Sequence, residues 1–114
     1  MLIVQTPLRI SFLGGGTDFE DFYLREGGAV LSTAISLCTF VEVKERYDDM
    51  IHVNSSQKEI VNHVDEVQHE LVRETMKLTR VEKGVEVTNQ SDVPSITPEG
   101  SGGSGLGSSS SFTV

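Results

Sequence analysis

The order of sequence patterns predicts an α+β protein with a mixed or antiparallel sheet and helices packed on one face. Strand-like stretches of apolar and β-branched residues fill the first half of the chain and return once near residue 85. One amphipathic helix separates these two groups of strands. A Gly- and Ser-rich loop then leads into the start of a further helix. Strands that precede a long helix, rather than alternating with helices, are typical of the α+β class.

Several strands are predicted before the long helix. The first is an apolar strand or strand pair over residues 2–4 and 8–13, and Pro7 between the two pieces indicates an edge position or a kink. Residues 29–35 form a continuous apolar run, which predicts a buried strand. The alternation over residues 40–45 predicts a half-exposed strand, and a further short strand follows a turn, over residues 50–54.

Two helices are predicted between and after these strands. A short helix over residues 19–26 follows three glycines, with Thr17 and Asp18 as its predicted caps. The clearest helix covers residues 66–79, where Asp65 and Gln68 resemble a capping box. Its apolar residues recur at helical spacing: Val64, Val67, Leu71 and Leu78. A last strand begins at residue 85, and a loop is expected from residue 89 to residue 102.

Composition limits the class of partner. A chain of 114 residues forms one domain at most. Its net charge of −8 argues against nucleic acid and against an anionic membrane surface. No apolar run approaches the roughly 20 residues of a membrane span, and the N-terminus has no signal-peptide pattern. The single cysteine, Cys38, has no partner for an internal disulfide. We therefore expect a cytoplasmic protein that binds neither nucleic acid nor membranes.

The most informative segment is the Gly- and Ser-rich stretch over residues 103–111. Its glycines let backbone N–H groups approach an anion, and its serines supply hydroxyls where a helix begins. It contains no lysine, so it is not a Walker loop. Composition alone is equally consistent with a flexible linker. Leu106 between glycines, and the apolar residues that resume at Phe112, favour a phosphate-binding loop instead.

A second candidate site flanks the glycine triplet. An arginine in an apolar strand, Arg9, is costly unless it is paired, faces a site or reaches water at an edge. Asp18 alone would most often be a helix cap. Together, on either side of Gly-Gly-Gly, they indicate a cation that stabilises an anion and a carboxylate that binds hydroxyls. The three histidines are scattered along the chain, which favours structural roles for them.

Both segments resemble a known family. Residues 7–18, with Pro-Leu-Arg followed by Gly-Gly-Gly-Thr-Asp, look like the N-terminal signature of the GHMP kinases. Residues 103–111 look like the nucleotide phosphate loop of that family. Within the family, residues 8–19 are most similar to D-glycero-D-manno-heptose 7-phosphate kinases. The resemblance covers nearly the whole chain.

The resemblance implies ATP-dependent phosphorylation of a sugar hydroxyl, the anomeric one of a heptose 7-phosphate, with ATP and Mg²⁺ as cofactors. Arg9 would be the catalytic residue beside the transferring phosphoryl group, and Ser109 would offer its hydroxyl to Mg²⁺. The implied substrate-binding residues are Gly15, Gly16, Thr17 and Asp18. The implied nucleotide-binding residues are Gly103, Ser104, Gly105, Leu106, Gly107, Ser108, Ser109, Ser110 and Ser111.

The chain departs from the family pattern in two ways. The spacing between Pro94 and Gly103 is about twice that expected from the family, and the family's catalytic aspartate lies outside these residues. We therefore expect residues 1–114 to be a partial N-terminal domain, inactive alone, without the C-terminal domain. A fucose- or galactose-type kinase of the same superfamily is an alternative. A non-catalytic sugar or nucleotide sensor on the same fold is another.

Overall fold

The computed structural model describes residues 1–93 and 105–113 and contains one mixed sheet. Its strands lie in the order β1-β2-β5-β3-β4. The β3–β5 pair is parallel, and the other neighbouring pairs are antiparallel. The predicted α+β class with a mixed sheet is thus confirmed. The elements are β1 (Leu2–Leu13), α1 (Glu20–Glu26), β2 (Leu31–Glu45), β3 (Ile51–Asn54), β4 (Lys58–Val61), α2 (Glu70–Thr79), β5 (Val85–Ser91) and α3 (Ser108–Thr113).

The two longest strands, β1 and β2, each join segments that were predicted separately. β1 is continuous and lies at the edge of the sheet, with a register shift against β2 between Pro7 and Arg9. Of the two alternatives predicted from Pro7, the edge position is therefore confirmed. β2 begins at Leu31, and its first residues are exposed, so the prediction that residues 29–35 are buried is wrong. The buried core of the described chain lies elsewhere, between α2 and β3.

That core consists of apolar side chains from β3, from α2 and from the turn before α2: Ile51, Val53, Val67, Val72 and Met76. The predicted apolar face of the helix is wrong in part, because Leu78 is 84% exposed while Val72 and Met76 are buried. The difference follows from where the helix begins. α2 begins at Glu70 rather than at residue 66, because residues 64–66 form a separate 3₁₀ turn.

The caps of α2 also differ from the prediction. The Asp65–Gln68 capping box is not formed; the carboxylate of Glu59, in β4, accepts hydrogen bonds from the backbone N–H groups of Gln68 and His69 at 2.6 and 3.1 Å. The short strand β4 was not predicted, since its four residues carry little apolar signal. Glu59 therefore accepts from two N–H groups just before α2 from the neighbouring strand β4.

The first helix, α1, also begins later than predicted. Residues 15–18 form a 3₁₀ turn, and no side chain caps α1, so the predicted caps Thr17 and Asp18 are wrong. Gly27, with φ of 76°, ends the helix as predicted. Across residues 1–93 and 105–113, no helix has the length and apolarity needed to cross a membrane.

Candidate functional site

The glycine loop lies against β1, next to Arg9. The backbone N–H of Arg9 donates a hydrogen bond to the carbonyl of Leu106 at 3.0 Å. A Cβ at Gly107 would lie 3.2 Å from Nε and 3.3 Å from Cγ of Arg9, so the arginine stem passes directly over this glycine. The two segments singled out in the sequence, close to opposite ends of the chain, are therefore adjacent in space.

The loop needs glycine at two described positions. Gly105 and Gly107 both have φ of +72°, in the left-handed region that residues with a Cβ rarely adopt. After the second glycine, α3 begins at Ser108. Ser109 and Ser110 are exposed. The arrangement places exposed serine side chains at the start of α3, after the glycine that the Arg9 side chain contacts.

Not all predicted loop residues are described. Gly103 and Ser104 lie outside the described residues, as does the long spacer that follows Pro94. Ser111 differs from the other serines because it is only 8% exposed, and its hydroxyl lies 3.1 Å from the carbonyl oxygens of Pro7 and Gly107. Its side chain therefore faces the protein.

Thr17 and Gly14 hold the glycine triplet in place at the C-terminal end of β1. The sequence did not distinguish Gly14 from the two glycines that follow it. Gly14 has φ of +83°, and a Cβ there would lie 1.9 Å from the carbonyl oxygen of Ala29. The Thr17 hydroxyl donates to the Gly14 carbonyl at 2.7 Å and accepts from the Ala29 N–H at 3.2 Å. Nothing in the sequence distinguishes Gly14 from Gly15, since the difference arises from contact with the segment that precedes β2.

The remaining predicted substrate residues lie open to solvent. Gly15, Gly16 and Asp18 are exposed, and nothing lies within 4 Å of a Cβ placed at Gly16. Thr17 is half-buried, in keeping with its hydrogen bonds. This turn therefore presents a carboxylate beside an uncrowded stretch of backbone.

A contact between α2 and α3 borders the loop. The rings of His69 and Phe112 have centroids 5.4 Å apart and are inclined at 52°. His69 is also the N-cap residue of α2, and its Nδ1 accepts a hydrogen bond from the N–H of Val72 at 3.5 Å. This placement agrees with a structural role for the histidine. Among the residues described, no group of three or more His, Cys, Asp and Glu side chains is placed to hold a metal ion.

The strongest local electrostatic effect lies away from the loop, in the turn after β2. The Arg46 guanidinium donates to both carboxylate oxygens of Asp48, at 2.8 and 2.6 Å. These hydrogen bonds lower the pKa of Asp48 to about 2. Arg46 also pairs with Glu86 of β5 at 3.3 Å. These contacts connect the turn after β2 to β5. The charges of Arg46, Asp48 and Glu86 are paired with one another.

Comparison with known proteins gives structural matches only. No protein-family model matches the chain, and no curated protein sequence matches it. The chain is similar to the crystal structure of a D-glycero-D-manno-heptose 1-phosphate kinase from Bacteroides thetaiotaomicron, with a TM-score of 0.74 and 23% identity, over 96% of this chain and 38% of that one.

Two further similar structures are a mevalonate kinase and a galactokinase. The mevalonate kinase of Methanococcus jannaschii gives a TM-score of 0.67 and 22% identity, over 98% of this chain and 37% of that one. The Lactococcus lactis galactokinase, complexed with galactose, gives a TM-score of 0.65 and 21% identity, over 97% of this chain and 29% of that one. The chain thus spans well under half the length of these kinases. At these identities the likeness shows the fold alone, and the described residues share the fold of part of each of these kinases.

Proposed function

We propose that the chain forms the nucleotide- and sugar-binding part of an ATP-dependent GHMP-type kinase that phosphorylates a sugar hydroxyl. The observation that carries the proposal is the contact of Arg9 with Gly107. It unites a cation with a glycine loop whose backbone conformation suits the binding of phosphates. The fold shared with three kinases supports the same reaction class.

The glycine loop is proposed to bind the ATP phosphates through backbone N–H groups. Gly105 and Gly107 permit the turn, and Gly103 and Ser104, outside the described residues, would extend it. The chain offers no lysine here, so backbone groups, hydroxyls and Arg9 supply the donors. Ser111, whose hydroxyl faces Pro7, would support the loop from the protein side.

Ser109 is the proposed protein ligand of Mg²⁺. Its hydroxyl is exposed at the first turn of α3, and Mg²⁺ prefers oxygen ligands and often takes only one or two from the protein, the rest coming from phosphates and water. The chemistry of the donor therefore fits the ion. When bound, Mg²⁺ would offset the negative charge of the phosphates.

Arg9 and Asp18 are proposed to divide the work at the acceptor. Arg9 would stabilise the negative charge that develops on the transferring phosphoryl group, because its stem already lies on the phosphate loop. Asp18, exposed beyond the end of β1, would accept hydrogen bonds from sugar hydroxyls. Gly15, Gly16 and Thr17 would form the backbone of this sugar site.

The finer substrate proposal is the anomeric hydroxyl of D-glycero-D-manno-heptose 7-phosphate, in the cytoplasm. The uncrowded space at Gly16 supports a large acceptor. One similar structure is described as a heptose kinase, although as a heptose 1-phosphate kinase. ATP and a sugar phosphate would then be the small-molecule partners.

Calorimetric titration with ATP, with and without Mg²⁺, tests the proposal on the full-length protein. Gly107→Val should abolish binding, because the side chain would occupy the space that the phosphates approach. Gly84→Val is the matched control: Gly84 also has positive φ, at 71°, a Cβ there meets only ordinary contacts at 3.5 and 3.9 Å, and the residue lies outside the loop. This control should bind ATP as the parent does.

Ser109→Ala should keep ATP binding without the metal and lose most of the gain that Mg²⁺ provides. If Gly107→Val binds ATP like the parent, residues 103–111 form a linker and the proposed function is wrong.

A further inference from the structure

The free edge of β1 faces the glycine loop at Pro7 and Arg9. Pro7 lies opposite Cys38 of β2, but the Cys38 N–H donates to the Asp92 carboxylate at 2.8 Å and the Cys38 carbonyl accepts from the Asp92 N–H at 2.9 Å. Cys38 therefore directs its backbone groups away from β1. In an antiparallel pair of this kind the facing residue also directs its groups outward. Pro7 and Arg9, two residues apart on one strand, thus present a carbonyl and an N–H to the same open edge.

The loop uses both of these edge groups. Leu106 accepts from the Arg9 N–H at 3.0 Å, and the Ser111 hydroxyl lies 3.1 Å from the Pro7 carbonyl. The residues of this second contact are 104 positions apart in the sequence. Between the two contacts, Leu8 is fully buried. The loop is therefore attached to β1 at its glycine-rich start and again one turn into α3.

We propose that Ser111 is a positioning residue that fixes the glycine loop on the edge of β1 and so keeps Arg9 over Gly107. The inference deepens the proposed function and rests on it for its catalytic meaning. Ser111 is buried, and its N–H is already bonded to the Gly107 carbonyl at 3.0 Å. Its hydroxyl has a single proton, shared between two carbonyl oxygens of the protein. This serine serves the site through the strand, without touching the nucleotide.

The first test follows the Arg9 amide by hydrogen exchange in the full-length protein. Ser111→Ala should accelerate its exchange about fivefold, the factor that corresponds to a net hydrogen bond of about 1 kcal/mol. Exchange of the Val53 amide, in the core strand β3, should not change. Thr113→Val is the matched control, since among the described residues the Thr113 hydroxyl bonds to carbonyls within α3, those of Ser109 and Ser110.

The second test uses steady-state kinetics. Ser111→Ala should raise KM for ATP about fivefold and lower kcat, while KM for the sugar stays within twofold, because the sugar turn is held separately by Thr17 and Ala29. A variant that was merely less stable would lose active protein without changing either KM.

The two tests separate failure of the inference from failure of the proposed function. If Ser111→Ala accelerates exchange of the Arg9 amide but the parent protein never binds ATP, the attachment of the loop to β1 is supported and the proposed kinase function is wrong. Unchanged Arg9 exchange in Ser111→Ala, or equal acceleration in Thr113→Val, would overturn the attachment. An unchanged KM for ATP in an active parent would overturn the positioning role.

Discussion

Replacing Gly107 by alanine would strain the backbone and also displace Arg9. Gly105, in the same loop, is the control, because alanine there would strain the backbone without displacing Arg9. Gly105 and Gly107 have the same φ of +72°, so alanine at either position meets the same left-handed penalty of about 1–2 kcal/mol. The surroundings differ. A Cβ at Gly105 has none of the described residues within 4 Å, whereas one at Gly107 would lie 3.2–3.6 Å from three atoms of the Arg9 side chain. Only Gly107→Ala therefore pushes the arginine.

The size of the difference follows from these distances. Atoms at 3.2 and 3.3 Å are closer than the carbon contact optimum of about 3.5–4.0 Å, so the Arg9 stem must retreat by a few tenths of an ångström. A misplacement of about 1 Å in a site costs roughly 10²-fold in rate. We therefore expect Gly107→Ala to lower kcat/KM about three- to tenfold more than Gly105→Ala, while both lower the free energy of unfolding by similar amounts.

The assay is kcat/KM for phosphorylation of the sugar, measured for both variants with and without Arg9→Ala in the full-length protein. In the Arg9→Ala background the excess effect of Gly107→Ala should disappear, because no guanidinium remains to be moved. Equal losses in the two alanine variants, or an excess that persists without Arg9, would refute the reasoning.

Two other predictions concern charged side chains. Arg9→Ala should lower kcat about 10²-fold or more. Asp18→Asn should mainly raise KM for the sugar, because it loses hydrogen bonds worth about 1.5–3 kcal/mol each. Steady-state kinetics that show neither change would contradict the proposed site. Asp48 should titrate near pH 2 by NMR, below its usual 3.8. Because its folded-state pKa is depressed, its stabilising effect is present above pH 3.8 and lost as the pH falls through 2. Arg46→Gln should return the pKa toward 3.8, and an unchanged pKa would show that the guanidinium is not its cause.

The sequence by itself determined the class of the fold and the two segments of the candidate site, residues 7–18 and 103–111. Pro7 predicted an edge position or a kink, because a residue without an N–H cannot donate to a central ladder. Positive φ at Gly105 and Gly107 agrees with the reading of a tight loop from its composition. These are local properties of residue type, and they need no partner elsewhere in the chain.

Only the tertiary structure decided what each candidate contacts. The carboxylate of Glu59, in β4, accepts a hydrogen bond from the backbone just before α2. The Thr17 hydroxyl accepts one from the backbone N–H of Ala29 instead of capping α1. Ser111 looks the same as its serine neighbours in the sequence, yet it alone of the described loop serines is buried against Pro7. The physical reason is that a hydroxyl or carboxylate bonds to whichever partner the fold brings within about 3 Å, and the sequence pattern around each residue does not specify that partner.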